Sequence, residues 1–223
     1  MGTFEYTGFY DLLADSLFNY KQALKHDKPY IQNRYARAST ISIILSIESA
    51  SNCLISSLED SKALREDLDK LTAIGKLDVF AKIKQQKGID RGRNEVAKIK
   101  ELIKMRNDYV HPKTKNIDVD ISGTENLKEH FTVNLSIDGE EWENLKIPKR
   151  AMFWSGASAE VVIKTATDFY NYYFKEVLGY TPDEVDMLLK SKIRFNDMLM
   201  EGVFHELKDE VFNSKFDFSI LKS

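Results

Sequence analysis

The stretch from 31 to 59 constrains this chain more than any other, because apolar residues cover a helix there almost all the way round. Tyr35, Ala38, Ile41, Ser42, Leu45, Ser49 and Asn52 mark one side, while Ile43, Ile44, Ile47, Ala50 and Leu54 fill much of the rest. A helix that is apolar on nearly every side from Ile41 to Ile55 has to be buried, so the other elements must wrap around it. Its small residues, among them Ala36, Ser39, Ser46 and Ala50, would let neighbouring helices approach closely. No stretch approaches a run of about 18 uncharged apolar residues, so no membrane span and no membrane partner are expected.

The flanking segments supply the wrapping. Residues 4–26 carry Phe9, Leu12, Leu13, Leu17, Tyr20 and Leu24 at amphipathic spacing, and Pro29 ends that helix or begins the next segment. Residues 61–85 predict a third helical region, broken near Gly75, with Leu64, Leu68, Leu71, Ile74, Leu77, Val79, Phe80 and Ile83 as its apolar positions. Gln85–Glu95 reads as a polar loop. A fourth helix is expected from about Asn94 to Val110, stopped by Pro112, which cannot donate the helical hydrogen bond.

Between 113 and 150 the period changes to two. Ile117–Gly123 and His130–Ile137 alternate apolar and polar residues, which predicts a small β-hairpin or three-stranded ribbon. Residues 155–178 return to helix, with Ser155 or Ser158 as cap and Gly179 as terminator. Thr181-Pro182-Asp183-Glu184 then opens a last helix, running to about Phe195 and continuing, after a break, to Phe212. The expected fold is mainly all-α: a helical bundle over 1–179 with a β-ribbon inserted at about 113–150, and a helical extension over 180–223 packed on the same domain. Only four prolines and ten glycines in 223 residues leave little material for long linkers.

Charge and cysteine narrow the function. A net charge of −3 gives no global basic field, so any nucleic-acid contact needs a local patch. Cys53 is the only cysteine, which excludes an internal disulfide and a cysteine-based zinc site. His26, His130 and His205 are scattered without ligand spacing, and no glycine-rich phosphate loop ends in Lys-Ser or Lys-Thr. No metal and no cofactor are therefore expected. The first residues lack a basic segment before an apolar core and read as the start of a folded helix, in a cytoplasmic protein.

One segment holds the chemistry: Arg106-Asn107-Asp108-Tyr109-Val110-His111-Pro112. Histidine can take a proton from a ribose 2′-hydroxyl or give one to a leaving oxygen near neutral pH. Arginine can hold a phosphate by two parallel hydrogen bonds and steady the charge of a transition state. Five residues on an unbroken helix put Arg106 and His111 about 140° apart, whereas Asn107 and His111 share a face. Pro112 could unwind the last turn and bring His111 round, or a second copy could supply the missing group. Spacing alone suits equally a plain helix end, where a histidine interacts well with the C-terminal dipole.

This segment resembles the R-x4-6-H signature of the HEPN superfamily, in the form where Asn follows Arg. The helix Ala36–Ile55 is similar to the HEPN helix in which small residues precede a glutamate and an asparagine, here Glu48 and Asn52. The resemblance covers roughly residues 5–178. It implies a helical bundle that homodimerises, bringing two such segments into one cleft, and a metal-independent endoribonuclease acting on RNA, as a toxin or in phage defence. An antitoxin or a nucleotidyltransferase is the further partner such systems imply; the alternative is a non-catalytic dimer that binds a nucleotide, RNA or a protein. Carried over, Arg106 and His111 would be catalytic. Asn107 would support them, Glu48 would orient Arg106, and Asp108 and Tyr109 would fill the variable positions. A glutamate in so apolar a helix needs a partner in any case, and Arg34, Arg37 or a backbone group could serve as well as Arg106.

Three features remain open. Arg91 and Arg93, with Lys82, Lys84 and Lys87, form a basic cluster that is either an RNA contact or a solvated loop. Phe169, Tyr170, Tyr172, Tyr173 and Phe174 could stack bases or line the core. Trp142 and Trp154 flank the ribbon and are expected to pin it to the bundle.

Overall fold

The computed structural model describes residues 2–58, 62–114, 120–122, 134–136, 139–196 and 198–222, and these are mainly α-helical. The central helix is α2 (Pro29–Ser56), with Pro29 in its first turn, where the missing N–H costs nothing. Around it pack α1 (Phe9–Lys25), α4 (Ala73–Gln85), α5 (Asn94–Val110) and α6 (Gly156–Asn171), while α3 (Lys62–Leu68) is a short connector. The small residues of α2 allow this: Ser16 Oγ on α1 donates to the Ser39 carbonyl at 3.0 Å. By length and composition α2 could cross a membrane, its most apolar window having mean hydropathy 1.4. This exceeds what the sequence reading expected of any stretch. In the fold Ile43, Ile44, Ile47 and Leu54 are fully enclosed by the neighbouring helices.

The helix ends follow the capping chemistry. Ser155 and Ser158 form a reciprocal capping box at the start of α6, and Thr181 does the same with Glu184 at α7 (Pro182–Leu189). After α6 the chain widens into a π-helical turn, Tyr172–Val177, which lets three consecutive aromatics, Tyr172, Tyr173 and Phe174, all be buried. Gly179 ends it at φ +68, a left-handed conformation that favours glycine.

Three expectations are corrected. Gly2–Glu5 is a strand, β1, and not the beginning of a helix. The helix expected to reach about Phe195 stops at Leu189 and gives way to β4 (Lys192–Phe195) and β5 (Met198–Glu201), before α8 (His205–Phe212). These strands form one antiparallel sheet in the order β1-β4-β5. Asn196 reverses the chain at φ 51, a left-handed position that asparagine tolerates. Finally, Gly75 breaks nothing: the interruption falls at 69–72, and the Gly75 N–H caps the new helix by donating to Thr72 Oγ1 at 3.2 Å. Leu24, Leu64, Leu71 and Ile83, read as apolar positions, are exposed.

The inserted hairpin is present as β2 (Asp120–Ser122) paired antiparallel with β3 (Asn134–Ser136). The remainder of the two alternating stretches, His130 included, lies outside the described residues. Trp142 and Trp154, which follow it in the chain, are both buried against α5, by Lys104 and Tyr109, and Trp154 Nε1 donates to the Pro148 carbonyl at 2.9 Å. The segment after 180 is tied back to the N-terminal residues: Thr7 Oγ1 donates to the Leu189 carbonyl at 2.6 Å, and Tyr10 OH to Asp186 at 2.7 Å.

Candidate polar site on helices α2, α4 and α5

The 3.6-residue period puts Glu48 and Asn52 one turn apart on α2, and they lie across from the last turns of α5. There the Arg106 guanidinium donates through Nη2 to Glu48 Oε2 and through Nη1 to Asn107 Oδ1, the latter at 2.8 Å. Glu48 thus has Arg106 as its partner, and not Arg34 or Arg37. Both side chains keep some solvent access, 26% for Glu48 and 22% for Arg106. Arg106 Nε is buried and has no hydrogen-bond partner. Buried donors are ordinarily satisfied, so this one marks a place where the protein leaves its polar chemistry incomplete.

These groups face a pocket of about 330 Å³, lined by Glu48, Asn52, Asp69, Lys76, Arg106 and Asn107 together with the start of α4. Lys76 comes from the second turn of α4 and is only 7% exposed. Its Nζ donates to Asn52 Oδ1 at 2.8 Å and lies 3.3 Å from Asp69 Oδ1. Three cations (Lys70, Lys76 and Arg106), two carboxyl groups and two amides therefore line one small open cavity, the Lys70 ammonium being held by Asp67 at 2.7 Å.

The rest of the motif lies outside that pocket. His111 is the C-cap of α5, exposed, at φ −116 and ψ 64, and its backbone N–H still bonds the Asn107 carbonyl at 3.0 Å. The last turn has therefore not unwound before His111, and within one chain His111 does not line the cavity that Arg106 does. Its side chain makes no hydrogen bond or ion pair with the described residues. Asp108 is exposed. Tyr109 is half-buried, with its ring 5.7 Å from that of Trp154.

Arg91 and Arg93 sit elsewhere. Arg93 precedes α5, 13 residues and so about 20 Å of helix from Arg106. It is engaged by Glu95 and Glu176 and lies over the Tyr172 ring, and Arg91 is engaged by Asp78. Asp78 also accepts from Lys82 and the Ile89 N–H. Burial would raise its pKa, but these bonds outweigh that and hold it below the usual carboxylate range. Arg91 and Arg93 thus fasten the polar loop to the bundle, and their charge is already answered by carboxylates. The aromatics of 169–174 are buried, which makes them core and withdraws them from base stacking. Cys53 packs against the core, and burial pushes its thiol up to about 11, far from the range of a reactive thiolate. Among the described residues no group of three His, Cys, Asp or Glu side chains is placed to hold a metal.

Lys76 and Asp69 were not singled out from the sequence. The signal for Lys76 was present: a lysine flanked by Ile74 and Leu77 within a helix that must bury one face needs a partner there. No protein-family model matches the chain, and no curated protein or solved structure is significantly similar to it.

Proposed function

We propose that the chain is a metal-independent endoribonuclease of the HEPN type, with Arg106 and His111 as its catalytic residues and a composite site formed by two copies. The observation that carries this reading is the anchoring of Arg106 by Glu48 and Asn107 at the edge of an open polar pocket, with an exposed His111 at the end of the same helix. In the reaction the ribose 2′-oxygen attacks phosphorus and the 5′-oxygen leaves, giving a 2′,3′-cyclic phosphate and a free 5′-hydroxyl. An imidazole moves the proton, and the guanidinium steadies the phosphorane charge.

Two features support the second copy. Arg106 and His111 of one chain do not share a pocket, so a neighbouring chain's His111 would complete it. Exposed apolar side chains also stand at Val110, beside His111 in the chain, and at Met152 and Phe153, which precede the Trp154 that packs on Tyr109; these are of the kind a partner would cover. A second reading, a non-catalytic dimer that binds a nucleotide, RNA or a protein, draws support from the position of His111 outside the cavity that Arg106 lines.

Cleavage of a mixed pool of single-stranded RNA and tRNA in excess chelator tests the proposal. The expected result is cleavage by the wild type and a loss of about 100-fold or more in His111→Ala. Equal cleavage by both would assign the activity to another site or a contaminant. A folded dimer that cleaves nothing would leave the binding module as the better reading.

A further inference from the structure

The ribonuclease reading uses Arg106 and His111 and leaves the other side of the pocket, Asn52, Asp69, Lys76 and the first turn of α4, without a role. This side is built around a lysine that is 7% exposed, an unusual place for a side chain that normally stays in solvent. Two of its ammonium protons are directed at Asn52 and Asp69. The third has no partner among the described residues. Asn52 spends its carbonyl oxygen on Lys76, which leaves its Nδ2 free to donate. Beside them the first turn of α4 contributes backbone donors. Thr72 Oγ1 takes the Gly75 N–H and the Thr72 carbonyl takes that of Lys76, which leaves the N–H groups of Ala73 and Ile74 unpaired, as the first turn of a helix leaves them. Lys76, Arg106, Asn52 and the Ala73 amide are all donors around one cavity, and Arg106 Nε is a buried donor with no hydrogen-bond partner among the described residues. Such a set matches the oxygens of a phosphate ester. The cavity, about 330 Å³, lies at the small end of ligand pockets, enough for a single nucleotide unit.

We propose that this pocket is a subsite for the RNA phosphate next to the scissile one, with Lys76 as its buried cation and Asn52 and the Ala73 N–H as further donors, while Arg106 at its edge faces the scissile phosphate. The proposal rests on the ribonuclease reading for the identity of the strand, but it stands on its own donors for the phosphate. Holding the neighbouring phosphate here would fix the register of the strand relative to Arg106. Asp69, 68% exposed, can turn away from Lys76 to make room for the incoming charge.

The test is a titration of the full chain, isotope-labelled on its amides, with a 2′-O-methyl RNA tetranucleotide that cannot be cleaved. Inorganic phosphate and a 3′-mononucleotide are run as separate arms. The expected result is saturable shifts of the Ala73, Ile74 and Lys76 amides with the tetranucleotide, and weaker shifts of the same amides with the other two. Lys76→Met should weaken tetranucleotide binding at least tenfold, and Lys21→Ala, in the surface pair with Glu210, should not. Because Lys76→Met removes a buried charge that Asn52 relies on, the wild-type amide shifts stand as an independent readout if that variant is poorly folded. Saturable shifts confined to other amides, or none with any arm, would overturn the proposal. So would shifts with the mononucleotide alone, which would make the occupant a free nucleotide. A chain that binds the tetranucleotide here and cleaves no RNA would retain the subsite and overturn the ribonuclease reading; one that cleaves RNA with no shift here would do the reverse.

Discussion

Two clusters of charge are built into this helical protein, and they differ in how completely they are satisfied. Asp186, on α7, is 1% exposed and receives bonds from Lys190, Lys208 and Tyr10, at 2.7, 2.8 and 2.7 Å. Lys208 in turn reaches Glu201 at 2.5 Å, so one carboxylate joins α1, α7, α8 and β5. Glu48 and Arg106 are instead about a quarter exposed, hold each other by a single bond, leave one guanidinium nitrogen unpaired and border a cavity. A polar network closed on every side fixes a structure, whereas one left open and incomplete has donors to offer to something else. On the proposed reading the first cluster serves stability and the second serves function.

The sharpest way to break this contrast is to remove the closed cluster's centre. Asp186→Ala leaves two largely buried lysines without a counter-charge, and the expected loss is about 3–5 kcal/mol, read by denaturant unfolding. A loss below about 1 kcal/mol would mean that the network is ornamental and the contrast wrong.

The pH dependence follows from the same cluster. Burial alone would raise the Asp186 pKa, but the bonds from Lys190, Lys208 and Tyr10 outweigh it and hold the group below its ordinary value. A carboxyl whose folded pKa lies below its unfolded one contributes fully above the unfolded value, about 3.9, and loses that contribution as pH falls through the folded value. Lys208 runs the other way. Burial would lower it, but Asp186 and Glu201 raise it, so its contribution is complete below about pH 10 and is lost as pH rises through its folded value. Thermal unfolding should therefore show an acid loss below about pH 4 that is diminished in Asp186→Ala; an identical acid limb in wild type and variant would contradict the assignment.

The open cluster should behave differently. Glu48→Gln keeps an acceptor for an arginine that is about a quarter exposed, so its stability cost is about 1 kcal/mol or less. Its effect on RNA cleavage should be far larger, because the guanidinium loses the group that orients it. A variant as unstable as Asp186→Ala would show that Glu48 belongs to the structure instead. The smallest effect is expected at Lys21–Glu210 on the surface, where Lys21→Ala should change stability by less than about 0.5 kcal/mol.

Much of this was legible in the sequence because the signals are local. Pro112 ends α5, Ser155 and Thr181 cap α6 and α7, and an apolar run with a single glutamate asks for a cation such as Arg106. The β1-β4-β5 sheet was not legible, because β1 finds its partner some 190 residues away, and the register Thr3↔Arg194 leaves no trace in either segment alone. The turn at Asn196 between β4 and β5 did leave a sign, an Asn-Asp pair between two short apolar runs, which helical spacing on either side obscured. The pocket was half legible: Glu48, Arg106 and Asn107 follow from the motif, whereas Lys76 and Asp69 reach it through the packing of α4 against α2. The failure of His111 to join Arg106 is likewise a matter of helix geometry that only the observed last turn decides.

The central claim, that the open cluster serves catalysis and not stability, is tested most directly by measuring two properties of one variant, Arg106→Lys. Lysine keeps the charge but not the planar fork that grips Glu48, Asn107 and a phosphate at once. The account predicts that chelator-resistant RNA cleavage falls by about 100-fold or more, while the melting temperature moves by no more than about 2–4 °C. Unchanged cleavage, or a melting temperature that collapses together with the activity, would contradict it.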